Sequence, residues 1–226
     1  MKNINPSYEI LTQIDGVKEL QHIEKIGRVC YKSEGRITED GESAKKFVSM
    51  LIKRGHEAMI EHSSLSVKFI VDRGVSHELV RHRIASFAQE STRYCNYAND
   101  KFGNEITVID LFGGMQLDIA MNKNKDMTEE KLTEIYQEWV KAIEDSEKHY
   151  LKMLELGATP QIARAVLPNS TKTEITITAN YREWRNFFKL RTPSSAHPQM
   201  REITIPLLTE LKQKLPIIFN DIDIND

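Results

Sequence analysis

At 226 residues and 40% hydrophobic composition, the chain can bury one sizeable core and is read as a single domain over 1–226. A formal net charge of −2 supplies no global positive field for a nucleic-acid backbone, so any anion has to be gripped locally. Cys30 and Cys95 are too few for a disulfide framework, and no stretch approaches the roughly 20 apolar residues of a membrane span.

The opening segment MKNINPSYEILTQIDG lacks the apolar stretch of a secretory leader, and neither cysteine has a CxxC or histidine partner at ligand spacing. The expectation is a soluble protein of the reducing cytoplasm, with no metal, nucleic-acid or membrane partner.

Tyr8 to Ile14 reads as a strand, and Val17 to Cys30 as an amphipathic helix through Val17, Leu20, Ile23 and Ile26/Cys30. A second helix, Ser43 to Arg54, repeats Ala44, Phe47, Val48 and Leu51 at helical spacing and is closed by Gly55. Ser64 to Val71 alternates Leu65, Val67, Phe69 and Val71 with polar residues, which predicts a half-buried strand. Ser76 is placed to cap a following helix that carries Arg81-His82-Arg83.

Asn104 to Asp110 reads as a strand followed by a loop. Asp126 and Glu129 form a capping-box pattern for a long helix through Leu132, Ile135, Trp139, Ile143, Tyr150 and Leu154 to Gly157. Thr159-Pro160 opens a short helix that Pro168 stops. Lys172 to Asn180 alternates Ile175, Ile177 and Ala179 with threonines as a strand. Asn180 and Glu183 then open a helix bearing Trp184, Phe187 and Phe188. Pro198 begins a last helix through Ile203, Leu207/Leu208 and Leu211, bent at Pro206. No βα unit repeats, so the fold class is α+β, with an antiparallel or mixed sheet flanked by long helices.

Three clusters carry chemistry. In the first, Arg81 to Tyr94, arginines suited to bidentate phosphate binding stand beside hydroxyls and amides that can read an imide edge. On a helix Arg81 and Arg83 lie about 200° apart, which predicts two different ligand groups. A solvated face of ordinary ion pairs also accounts for the tripeptide alone. The second cluster is Gly55-His56-Glu57-Ala58-Met59-Ile60-Glu61-His62. It lacks the HExxH pattern, and six residues separate its histidines. In the third, Asn180, Arg182, Asn186 and Arg191 follow one another, with Arg182 and Asn186 on one helical face and the aromatics on another. No GxGxxG or P-loop is present, so a dinucleotide has to be held by arginines instead of a Rossmann turn.

The string R-H-R-x-x-S-x-x-x-x-S-x-R fixes six positions within thirteen and resembles the signature of the flavin-dependent thymidylate synthases. The G-H-x-x-x-x-E-H stretch and N-x-R-x-x-x-N-x-x-x-x-R also resemble that family, in the same order, over roughly residues 43 to 211. The resemblance implies an FAD-binding homotetramer with active sites at subunit interfaces. It further implies methylation of dUMP with 5,10-methylenetetrahydrofolate as carbon donor and NADPH as electron source.

Carried over residue by residue, Arg81, His82, Arg83, Gln89, Asn180, Arg182 and Asn186 are the FAD contacts, with His56, Glu61 and His197 lining the flavin site. Glu78, Arg81, Gln89, Glu90, Ser91, Thr92, Arg93, Arg164 and Arg191 are the dUMP contacts, and Arg191 is the catalytic residue that polarises the uracil. This chain has Ala58 where the family frequently has a hydroxyl residue. It has Ala88 and Gln89 where the signature often has Asn and Glu, which leaves a non-catalytic flavin-binding homologue as the alternative. Cys95 reads as a packing residue and Ser91 as a substrate contact, since a serine nucleophile needs an adjacent base. A nucleic-acid module using Arg81, Arg83 and Arg93, and a metal-dependent hydrolase using His56, Glu57, Glu61 and His62, are the remaining rivals.

Overall fold

The computed structural model describes residues 1–99, 102–114, 117 and 126–224. The strands are β1 (Lys2–Ile4), β2 (Ser7–Ile10), β3 (Ser64–Asp72), β4 (Ala85–Gln89), β5 (Thr107–Ile109) and β6 (Lys172–Asn180). The helices are α1 (Gly16–Tyr31), α2 (Glu42–Lys53), α3 (Arg73–Leu79), α4 (Glu129–Glu155), α5 (Pro160–Ala163), α6 (Tyr181–Arg191), α7 (Pro198–Lys214) and α8 (Pro216–Phe219). A four-stranded sheet has the order β2-β3-β6-β4, and β1 pairs with β5 in parallel. Backbone bonds from Tyr181 to Ser63 and from Arg73 to Asn169 tie opposite ends of β3 and β6, so these two run antiparallel. The architecture is mixed α/β, as the α+β expectation holds.

Two compact units emerge, and the division falls inside β3, β4 and β6. The first contains Met1–Ser7, Phe69–Arg81 and Ala88–Ile175. Its core gathers Tyr97, Ile106, Val108, Ile143, Tyr150 and Ala163, with Cys95 packed against them as expected of a small apolar residue. The second contains Tyr8–Lys68, His82–Phe87 and Thr176–Asp226. There α1 packs on α2, close enough that a Cβ on Gly27 would lie 2.6 Å from the Phe47 ring. Trp184, Phe187 and Phe188 of α6 are buried with Phe219, and the Trp184 indole N–H donates to the Leu65 carbonyl at 3.0 Å.

Several elements depart from the sequence reading. The first predicted strand stops at Ile10. Helix α1 occupies the expected span but exposes Val17 and Cys30, and instead buries Glu24, whose carboxylate takes Arg28 and the Ser43 hydroxyl. The strand expected from Asn104 shortens to β5. Thr128, not Asp126, caps α4, accepting from the Lys131 amide. Ile135 of that helix is exposed, and Gly157 just beyond it takes the left-handed φ of 93° expected of its terminator. Thr159 makes no side-chain cap for α5.

The consequential correction concerns the signature. Asp72 caps α3 by accepting from the Val75 amide at 2.6 Å, and Ser76 sits inside that helix, fully buried. Helix α3 ends at Leu79, so Arg81, His82 and Arg83 stand on the extended turn leading into β4. The helical angle between Arg81 and Arg83 therefore does not apply. The strand instead sends alternate side chains of 85–89 to opposite faces.

Candidate functional site

In the second unit, α6 builds a cleft because its cap, its polar face and its aromatic face are set by one short sequence. Asn180 accepts from the Glu183 amide at 2.8 Å, which starts the helix. From that start Arg182 and Asn186 fall on one exposed face and Trp184, Phe187 and Phe188 on the buried one, as the spacing predicts. Glu57, Glu61, Ile84, Asn180, Arg182, Glu183, Asn186 and Lys189 line a cavity of about 480 Å³.

Arg182 pairs with Glu61, but their side chains are 54% and 41% exposed, so the pair is weakly held and an incoming anion can displace the carboxylate. Ile84, at 68% exposure, adds a bare apolar surface to the same cleft. A displaceable guanidinium, two side-chain amides and an apolar side chain together fit a flavin nucleotide, which needs a cation for phosphate and an apolar contact for its ring system.

Glu183, which lines this cavity, belongs to a polar chain whose centre, His82, is buried. His82 Nδ1 is 3.0 Å from Glu183 Oε1, and the Arg191 Nε–H donates to His82 Nε2 at 3.1 Å. An arginine Nε can only donate, so Nε2 of His82 has to be the bare, accepting nitrogen. The ring is therefore neutral, with its proton on Nδ1 and donated to Glu183. Burial lowers the His82 pKa below its usual 6.5, and the Arg191 charge adds to this against the opposing pull of Glu183. The Asn186 amide lies 3.4 Å from both carboxylate oxygens, and the edge of Phe187 closes over the imidazole, with ring centroids 4.9 Å apart.

In the first unit, the exposed Arg164 donates to the buried hydroxyl of Thr92 at 3.2 Å. Both line a pocket of about 250 Å³ with Arg73, His77, Leu167, Asn169 and Thr171. The Arg93 Nε–H donates to Gln161 at 3.1 Å, and its backbone amide donates to the Ser91 hydroxyl at 3.3 Å. The Gln89 amide donates to the buried Ser76 and Thr173 hydroxyls at 2.9 and 3.2 Å. Glu90 is held by Lys172 and by the Tyr97 hydroxyl, each at 3.0 Å, so its carboxylate is tied into this unit's own structure. Burial and the neighbouring Glu90 charge push the Tyr97 pKa up.

The expected site residues thus divide by unit. The nucleotide set, Glu78, Arg81, Gln89, Glu90, Ser91, Thr92, Arg93 and Arg164, belongs to the first unit, except for Arg191. The flavin set, His82, Arg83, Asn180, Arg182 and Asn186, belongs to the second, except for Arg81 and Gln89. Arg81 and Arg83 are both exposed. His56 precedes the 3-10 turn Glu57–His62 that carries Glu61, and His197 precedes α7.

The second cluster is not gathered around an ion: Glu57 pairs with the buried Arg185, Glu61 with Arg182, and the His62 carbonyl meets His22. Among the described residues no group of three or more His, Cys, Asp or Glu is arranged to hold a metal. No described helix is long and apolar enough to cross a membrane. Glu183 as a buried partner of His82, and the cleft positions Ile84 and Lys189, were not marked as functional from sequence. The only advance signal for Glu183 was its place beside a cap, which any helix start can show.

The fold is similar to that of the UMP/dUMP methylase PolB of Streptomyces cacaoi, solved with 5-Br dUMP, with a TM-score of 0.78 and 20% identity over 97% of this chain and 96% of that one. The profile of the family described as Thymidylate synthase complementing protein matches residues 14–217. A flavin-dependent thymidylate synthase of Corynebacterium aurimucosum is 30% identical over 204 residues, covering 89% of this chain and 79% of the relative. Another, from Mycolicibacterium gilvum, is 31% identical over 220 residues, covering 97% and 85%. The chain belongs to the flavin-dependent thymidylate synthase family.

Proposed function

We propose that this chain methylates dUMP to dTMP, using FAD reduced by NADPH and the methylene carbon of 5,10-methylenetetrahydrofolate, as a cytoplasmic homotetramer folded as one domain per chain. The observation that carries this reading is the family match over residues 14–217, joined to a cleft in which Asn180, Arg182 and Asn186 stand together as the motif requires.

Arg182, Asn180 and Asn186, with His56, Glu61, Arg83 and His197 nearby in sequence motifs, hold the flavin. Bound FAD supplies the electrons that turn the transferred methylene into a methyl group. Arg164 and Thr92 grip the nucleotide phosphate through a charge-assisted contact, and Ser91, Arg93 and Gln89 orient the rest of dUMP. Arg191 places a fixed positive charge against the uracil imide, which stabilises negative charge on the ring and makes C5 more nucleophilic. Support for assembly comes from the exposed Tyr94, Leu156 and Ile162 of the first unit and Leu190 of the second, large apolar side chains that contact with further copies would cover.

The test is the visible spectrum of the purified protein, followed by anaerobic NADPH with and without dUMP and a dTMP assay with methylenetetrahydrofolate. Flavin bands that bleach on reduction, together with dTMP formation, support the synthase. A yellow protein that forms no dTMP supports the non-catalytic homologue. A colourless protein that takes up no FAD overturns both.

A further inference from the structure

We propose that Glu183 and His82 are positioning residues for Arg191, acting as a buried tautomer lock. The inference rests on the proposed role of Arg191 at the uracil, but its structural part stands independently. Glu183 accepts the Nδ1 proton of His82 at 3.0 Å, and that leaves Nε2 bare to accept from Arg191 Nε at 3.1 Å. The opposite tautomer sets an Nε2–H against the Arg191 Nε–H and an unprotonated Nδ1 against a carboxylate, so both contacts fail together. One carboxylate is thereby linked to the orientation of the Arg191 guanidinium through the imidazole.

The geometry of the chain points the same way. His82 is held from the turn before β4, while Glu183 and Arg191 are eight residues apart on α6, more than two turns of helix. His82 bridges that separation, and Phe187, one turn beyond Glu183, packs edge-on against the ring and restricts its rotation. Glu183 itself is fixed at both ends: its amide bonds to Asn180, and its oxygens take His82 and Asn186. The hydrogen bond to His82 restrains the Nε edge of the Arg191 guanidinium. This divides the R-H-R string by task, since the His82 ring serves Arg191 and not the flavin.

The test begins on the intact protein with 15N-labelled histidine, reading the tautomer of His82 from long-range 1H–15N correlations at neutral pH. The expected pattern is a protonated Nδ1 and a bare Nε2. An Nε2–H tautomer or an imidazolium overturns the lock whatever the enzyme's activity. In Glu183→Ala the Nδ1–H signature is lost, and kcat for dTMP formation, counted per bound flavin, falls about 100-fold, the scale expected of a misoriented catalytic group. Glu183→Gln keeps a carbonyl acceptor for Nδ1–H and regains both the tautomer and most of the turnover. Equal turnover in wild type and Glu183→Ala overturns the positioning role. An intact tautomer in a wild-type protein that makes no dTMP instead rejects the proposed function and leaves the lock standing.

Discussion

The two units hold the arginines proposed to act on the nucleotide in opposite ways. In the second, Arg191 is anchored by a buried histidine that is itself anchored by a buried glutamate. In the first, Arg164 and Arg93 are exposed, and each reaches one hydroxyl or amide partner. The buried groups that meet the proposed nucleotide contacts there are the hydroxyls of Thr92, Ser76 and Thr173, which receive hydrogen bonds from Arg164 and Gln89. A charge that has to be correctly aimed when negative charge develops benefits from a preset orientation. A charge that collects a flexible phosphate does not need one.

That contrast is broken most directly at Arg191. Arg191→Ala is expected to lower kcat for dTMP formation by about 1,000-fold with FAD still bound, measured by turnover and by the flavin spectrum after dialysis. Near-normal turnover removes Arg191 from catalysis. Next in size is the scaffold beneath the cleft, where Arg185 is buried and bridges Glu57, Asp221 and the Ile218 carbonyl. Arg185→Ala is expected to cost about 3 kcal/mol in urea unfolding, because the substitution breaks a buried ion pair and leaves a cavity.

Smaller effects sharpen the distinction between the units. Arg182→Ala should weaken FAD retention about tenfold, the loss of one charge-assisted hydrogen bond, and unchanged flavin occupancy after dialysis removes it from the cofactor site. Arg164→Ala should raise the KM for dUMP about tenfold with kcat little changed and flavin retained. A matching fall in kcat would show that the first unit's arginines are also orienting groups.

The smallest expected effect is a pH dependence of stability. Because the native pKa of His82 lies below 6.5, the unfolded chain binds a proton in a range where the native chain does not. The stabilisation is therefore complete above the unfolded pKa and is lost as pH falls from there toward the lower native value. The urea midpoint should drop between about pH 7 and pH 5.5, less so in His82→Gln. An identical slope in the variant would assign the dependence to other groups.

Much of the second unit was legible in advance. The alternation in β3, the Ala44/Phe47/Val48/Leu51 stripe of α2 and the division of α6 into a polar and an aromatic face are period signals that burial enforces whatever the neighbours. The signature segment was misread because Ser76, a good capping residue type, occurs three residues into a helix already capped by Asp72. Its hydroxyl donates to the Arg73 carbonyl and accepts from Gln89, uses that a local pattern cannot distinguish from capping.

By itself the sequence determined the α+β class, the main helices and strands, the family, and the shared face of Arg182 and Asn186, since all of these follow from spacing along one chain. Only the tertiary structure decided that α3 ends before the arginines, that Glu90 is engaged by Lys172 and Tyr97, and that Glu183, His82 and Arg191 form one chain of hydrogen bonds. The physical reason is sequence distance: His82 and Glu183 are 101 residues apart, and the preference of one for the other arises only when folding removes both from water.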